Sequence, residues 1–385
     1  MDSKRIDAYF NKLREETKPE EIDEKTKKLR LDIMRNLAEP EMKEYLSAII
    51  QDPENHEELM RELIMNRGFS EPQPYEVFRN TVHVAIEVVT ATMSSVEGEQ
   101  IVDTLLALAM QGERLAVKIS DRPAALRFWL YSDEILQEKK LWSIELKRLF
   151  LFKLSELLEE LDDYDGALEA VNAMEEVSRE NEETESEINL MLQEGELYRK
   201  KRDLEKAEEI FKKSLEMAEK HDTDGRPISR AWLGLARISN SKSDIEESIR
   251  CFANAIDEAG ESGENRVLLE ASDELGYLFA QMERYEESWQ CLNNALNTAL
   301  SAEDVPAQVK IVQTMWYPAE SMKKWGDYLV ALRSVRHYVQ SEQMDTLLAP
   351  LLECFGKVHI ALGNASEAKR HLEEAHSLYS SLGNE

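Results

Sequence analysis

At 385 residues the chain has length for several cores or one elongated one. Its 47 Lys and Arg against 77 Asp and Glu leave a net charge of −30, which disfavours nonspecific contact with nucleic-acid phosphates and docking on anionic lipid. Hydrophobic residues at 42% and charged residues at 32%, with only 14 Gly and 10 Pro, suit packed helices and argue against disorder.

The first sixteen residues, MDSKRIDAYFNKLREE, are charged and lack an apolar stretch, so no secretory signal is expected. No apolar run approaches the ~20 residues of a membrane span, and a cytoplasmic protein follows. Helical patterns run near 3–16, 20–38, 41–50 and 54–66. A break follows at Gly68 and Pro72-Gln73-Pro74, then a helix from about Tyr75 to Met93. Residues 1–95 are therefore predicted to form an N-terminal helical bundle that caps the segment after it. A helix-turn-helix effector domain is the alternative, but residues 1–75 are net acidic and show no helix with a basic, base-reading face.

From residue 96 to 385 the chain repeats itself. Small residues recur at Ala125, Ala167, Ala207, Ser248, Ser288, Ala331 and Ala368, in steps of 42, 40, 41, 40, 43 and 37. A large apolar residue usually follows four positions later (Trp129, Val171, Phe211, Phe252, Leu292, Val335, Leu372). A second small residue tends to precede by twelve (Ser155, Gly195, Ala236, Gly276, Ala319, Gly356). Each period reads as two antiparallel helices with apolar residues at three- and four-residue intervals. Gly195 and Ala207 allow two helix axes to approach closely, and Phe211 is placed to fill the groove of the next pair. A lone hairpin cannot cover its apolar face, so about seven of them are predicted to stack. Pro318 falls inside a first helix and is expected to kink or shorten it. The acidic run from Glu180 to Glu187 reads as a solvated connection between hairpins.

Gly195, Tyr198, Ala207 and Phe211 resemble the tetratricopeptide repeat. So do Trp232, Leu235, Ala236, Phe252 and Ala255, then Leu275, Gly276, Tyr285 and Ala295, and finally Gly356, Leu362-Gly363-Asn364, Ala368 and Ala375. The resemblance covers roughly residues 140–380, with a weaker unit near 97–138. The family period is about 34 residues, so spacings near 40 imply longer helices or connections. The resemblance implies an all-α, right-handed superhelical solenoid of antiparallel hairpins that recognises peptides or extended protein segments on its concave face. Long-period arrays of this kind include peptide-sensing regulators and cytoskeletal adaptors. The Lys/Asn clamp of chaperone-binding members is not reproduced by Asn189, Arg230 and Arg237.

Catalytic candidates reduce to packing and turns. Asp162, Asp163 and Asp165 sit at a hairpin turn, where acids cap the second helix, and no second aspartate cluster opposes them as a magnesium–diphosphate site requires. Asp222-Thr223-Asp224-Gly225 lacks the ligands of a calcium loop. Cys251 and Cys291 occupy equivalent positions three residues after their repeat anchors and read as packed thiols. His371 and His376 are five apart, poor spacing for one helix face, and no metal site is expected. No phosphate loop, nucleophile elbow or HExxH signature occurs, so no catalytic centre and no cofactor are expected.

The first helices should line the concave face. The repeat frame places Asn189 and Arg199 there in one hairpin, and Arg230, Leu233, Arg237 and Asn240 in the next. Tyr277 follows, then Trp316 and Lys323, then Lys357. Arg and Asn suit carboxylate and backbone recognition, and Trp and Tyr are common interface anchors. The expected function is a non-catalytic scaffold or adaptor binding a protein or peptide, possibly acidic, with Tyr277 and Trp316 as apolar anchors. A peptide-responsive regulator whose superhelix changes pitch is the alternative; a helical enzyme is a third.

Overall fold

The computed structural model describes residues 10–14, 26, 83, 86, 89–90, 92–93, 101–118, 121–141, 143–180, 183–221, 224–342 and 344–381. Regular structure among them is entirely helical. The chain divides into two compact units, residues 1–183 and 184–385. The first holds α1 (Ile101–Lys118), α2 (Arg122–Glu138), α3 (Ile144–Glu160) and α4 (Tyr164–Glu180). The second holds α5 (Thr184–Lys200), α6 (Leu204–Lys220), α7 (Arg226–Ser241), α8 (Ile245–Ser262), α9 (Asn265–Gln281) and α10 (Tyr285–Ser301). It continues with α11 (Val305–Thr314), α12 (Trp316–Met322), α13 (Trp325–Ser341), α14 (Asp345–Ala361) and α15 (Ala365–Ser381). Neighbouring helices pair as α1–α2 and α3–α4 in the first unit. In the second they pair as α5–α6, α7–α8, α9–α10, α11/α12–α13 and α14–α15. None of the described helices is long and apolar enough to cross a membrane.

The N-terminal bundle expected over 1–95 lies almost wholly outside the described residues. Of the few described there, Phe10 and Leu13 are buried, and Arg14 pairs with Asp133 of α2.

Every second helix starts the same way. Its fourth residue past the cap donates its N–H to the cap carbonyl: Ala125 to Asp121, Ala167 to Asp163, Ala207 to Asp203, Ser248 to Asp244, Ser288 to Arg284, Tyr328 to Lys324 and Ala368 to Asn364. In this frame the sixth anchor is Tyr328, three residues before Ala331, and the steps become 42, 40, 41, 40, 40 and 40. A search for small residues passes over Tyr328 because a tyrosine fills that position. It is fully buried, and its hydroxyl donates to the Val312 carbonyl at 2.7 Å. The first helix of this hairpin is interrupted at Met315. The break comes three residues before Pro318, whose ring conflicts with the Thr314 carbonyl and which has no N–H to offer it.

Five residues before each of the last six anchors the backbone turns left-handed, at Asp162, Arg202, Ser243, Glu283, Lys323 and Gly363. Only one of these is glycine, which is why the sequence did not flag a shared turn. Asp163 caps α4 as expected, accepting from the Gly166 N–H at 3.1 Å. The acidic run after Glu180 is less of a loop than expected, since α5 begins at Thr184.

In α6 the residues Ala207, Phe211, Ser214, Leu215 and Ala218 form one buried stripe. The Phe211 ring lies where two other helices have no side chain. A methyl group on Gly195 of α5 would fall 3.0 Å from it, and one on Gly234 of α7 at 2.4 Å. Gly276 faces Leu292, and Gly356 faces Leu372, in the same way within their own hairpins. In the α1–α2 hairpin Gly112 faces Phe128, so that notch is filled by the residue before Trp129. Trp129 instead meets Phe150 edge-on at 5.3 Å between centroids. Burial pushes the Cys251 thiol up to about 12, with Glu247 adding to it, and burial pushes Cys291 up to about 11. Both are held as protonated packing groups.

Gly234→Ala is expected to lower stability by about 1–3 kcal/mol, because the added methyl meets a ring that cannot retreat. Gly260→Ala in α8, where a Cβ meets nothing within 4 Å, should raise stability by up to about 1 kcal/mol through helix propensity. Thermal melts of the two variants check the pair; equal shifts would refute the close-approach account.

Candidate functional site

Four successive first helices of the second unit, with the Asp304 cap of the fourth, line a cleft of about 610 Å³. Helix α5 contributes Glu196 and Arg199, and α7 contributes Arg237, Asn240 and Ser241. Helix α9 adds Leu269, Glu270, Asp273 and Glu274; α11 adds Ala307, Lys310 and Ile311. These residues share a face because they recur at three- and four-residue steps on each helix.

The cations of the cleft are already engaged. Arg237 donates from Nε to Glu274 at 2.9 Å and from Nη2 to Glu270 at 2.7 Å. Its Nη1 lies 3.9 Å from Glu196. Arg199 grips Glu196 through Nε and Nη2, at 2.9 and 2.5 Å. Lys310 donates to Asp273 Oδ2 at 2.7 Å. Burial works against the charge of Arg237, but Glu274, then Glu270 and Glu196, outweigh it and raise its pKa. Burial likewise pushes Glu196 and Glu270 upward, yet Arg199 with Arg237, and Arg266 with Arg237, bring each below the usual carboxylate range. Lys310 is raised, first by its hydrogen bond to Asp273. Asp273 is 5% exposed, and its Oδ1 is buried with no hydrogen-bond partner.

Of the ten residues expected on this face, Arg199, Arg237 and Asn240 line the cleft. Asn189 and Arg230 are exposed beside it and linked, with Arg230 Nη1 donating to Asn189 Oδ1 at 3.4 Å. Tyr277, 48% exposed, stands one turn beyond Asp273 and Glu274 on the same face of α9. Lys357 is exposed on α14. Three expectations are corrected. Leu233 is buried in the core that Phe211 also joins. It lies about 60° around the helix from Arg230, enough to turn an apolar side chain inward. Trp316 packs against the core built by α10 to α14 and sits 5.5 Å from the Trp325 ring and 6.2 Å from that of Tyr328. The interruption at Met315 displaces it from the helical frame that put it in the groove. Lys323 is the left-handed turn residue that ends α12, φ 56°, and so lies off the helix face.

The acids of the cleft were not among the expected residues, although Glu270, Asp273 and Glu274 precede Tyr277 at helical spacing on one face, a signal present in the sequence. The sequence reading also missed a constellation at His371. That residue stands with His359 and Glu367, and one ligand atom from each lies within 4.8 Å of the others. His359 belongs to the preceding helix, so spacing along α15 gave no warning of it.

Arg237→Ala should cost about 2 kcal/mol, because it strands carboxylates that are only partly exposed; a denaturant titration measures this. Acid should act through the same groups. Glu196 and Glu270 have depressed pKa values, so they contribute stability that is complete above their ordinary 4.5 and is lost as pH falls through the depressed values. Thermal melts from pH about 6 to about 3 should show a decline beginning below about 4.5, smaller in Arg237→Ala than in the parent.

Residues 188–221, which run from the second turn of α5 through the connecting turn and α6, match the tetratricopeptide repeat family. No curated protein sequence matches the chain. Among solved structures, the signal-transduction ATPase with a tetratricopeptide repeat sensor from Pyrococcus horikoshii superposes with a TM-score of 0.52 at 14% identity, covering 82% of this chain and 50% of that one. BtubC (BKLC) from P. vanneervenii gives 0.49 at 16% identity over 58% of this chain and 93% of its own. Aspartyl phosphate phosphatase F from Bacillus subtilis gives 0.47 at 15% identity over 94% and 95%. Residues 188–221 are therefore a tetratricopeptide repeat by sequence, and the hairpins around them, whose second helices begin at steps near forty, share that helix-pair fold.

Proposed function

We propose that the protein is a non-catalytic interaction scaffold whose cleft in the second unit receives an extended polypeptide segment. The observation that carries this reading is the cleft formed across α5, α7, α9 and α11. Packed helices lie about 8–10 Å apart and an extended chain advances about 3.3 Å per residue. A segment crossing the four helices therefore presents roughly every third residue to a new helix.

The chemistry of the lining favours a segment bearing Lys or Arg over the acidic one expected from the sequence. Five carboxylates (Glu196, Glu270, Asp273, Glu274, Asp304) face three cations (Arg199, Arg237, Lys310), a local surplus of two negative charges. An acidic ligand would have to displace Glu196, Glu270 or Glu274 from arginines they already hold. A basic side chain meets the surplus without displacing an existing pair. Tyr277 offers an exposed ring for an apolar or cationic neighbour.

Fluorescence-labelled extended peptides, matched in length and carrying either Lys/Arg or Glu, test this. The basic set should bind with affinity that falls as salt rises. Tyr277→Ala and Asn240→Ala should each weaken it by about fivefold, ~1 kcal/mol. Preferential binding of the Glu peptides, or affinities untouched by both substitutions, would overturn the assignment. Neither variant removes an ion pair of the cleft, so fold and binding are read separately.

A further inference from the structure

The α14–α15 hairpin carries an arrangement that the cleft does not use. His359 on α14 faces Glu367 and His371 on α15, which are one helical turn apart, and a ligand atom from each lies within 4.8 Å of the other two. The two imidazoles are stacked, with centroids 5.6 Å apart and planes 16° from parallel. Phe355 stacks on His371 at 5.2 Å. His371 is 3% exposed. The Nδ1 atoms of both histidines are buried and have no hydrogen-bond partner. Leaving a buried polar atom unsatisfied costs about 1–3 kcal/mol, and two such atoms in one three-residue cluster call for a partner.

We infer that His359, Glu367 and His371 form a binding site for one divalent transition ion of the zinc class, which fastens α14 to α15. Two imidazoles and one carboxylate are a ligand set that zinc accepts, with a fourth position left for water. Ligand atoms around a tetrahedral zinc lie about 3.3 Å apart, given bonds of about 2.0–2.1 Å. The ligand atoms, now within 4.8 Å of one another, close by at most roughly 1.5 Å on binding. Arg370 Nη2 holds Glu367 Oε2 at 2.6 Å, which fixes the carboxylate from outside the ligand set. The same arginine approaches His371 Nε2 at 3.4 Å, so the nitrogen turned to the ion is the one Arg370 does not face. The ligands come from both helices of one hairpin, so occupation resists their separation.

The test uses the full chain, stripped of metal with a chelator and kept in excess calcium to occupy surface carboxylates. Zinc titrated against a chromophoric competitor should bind at one equivalent per chain and raise the melting temperature. Cobalt(II) should develop the visible absorption of a four-coordinate site. Glu367→Gln and His359→Ala, both at partly exposed positions, should each weaken zinc binding by at least about a hundredfold, more than loss of an outer-shell partner. Their metal-free melts check that they fold; His371→Ala is avoided because that ring is core. Absence of stoichiometric zinc binding in the parent, or binding unchanged in both folded variants, overturns the site and leaves the imidazoles as aromatic packing.

Discussion

The second unit depends on a ring seated where neighbouring helices carry only hydrogen atoms. Phe211 projects from α6 into the notches left by Gly195 of its own hairpin and Gly234 of the next. One side chain thereby sets two distances, between α6 and α5 and between α6 and α7. The same device recurs with leucine: Gly195 and Phe211, Gly276 and Leu292, and Gly356 and Leu372 are each sixteen residues apart. Interiors are packed like organic crystals, so a filled notch of this kind admits one helix spacing and no other.

That spacing creates the cleft and also its electrostatics. First helices brought side by side place Arg237 of α7 against carboxylates of α5 and α9 at once. The guanidinium fork can serve several acceptors, and in a partly dry setting its ion pairs exceed those of a surface lysine. Arginine therefore acts here first as a tie between hairpins. With the cations engaged, Asn240 and, one turn beyond Glu274, the ring of Tyr277 remain exposed.

Much of the architecture was legible in residue types. Apolar spacing marked helices, Asp163 marked a helix start, and Pro318 marked the interrupted helix. Cys251 and Cys291 were placed as packing groups by their shared offset. The failures have separate causes. Small size marks most anchors, but a buried tyrosine fills the sixth, so Ala331 stood in for Tyr328. Trp316 follows directly on the interruption at Met315, whereas Lys323 is the left-handed turn residue that ends its helix. Leu233 was carried to the surface by its neighbours Arg230 and Arg237, although a modest rotation around α7 decides its burial.

The sequence by itself determined the helices, their pairing and a period near forty, because those follow from local periodicity and from the need of each hairpin to hide its apolar face. Tertiary structure alone decided which charges are free and which imidazoles meet. Glu196, Arg237 and Glu274 lie on three helices, as His359 and His371 lie on two, and no spacing along the chain encodes their contact. Charge pairing and ligand convergence are properties of distances across helices. Those distances exist only after glycine notches and rings have brought the hairpins together.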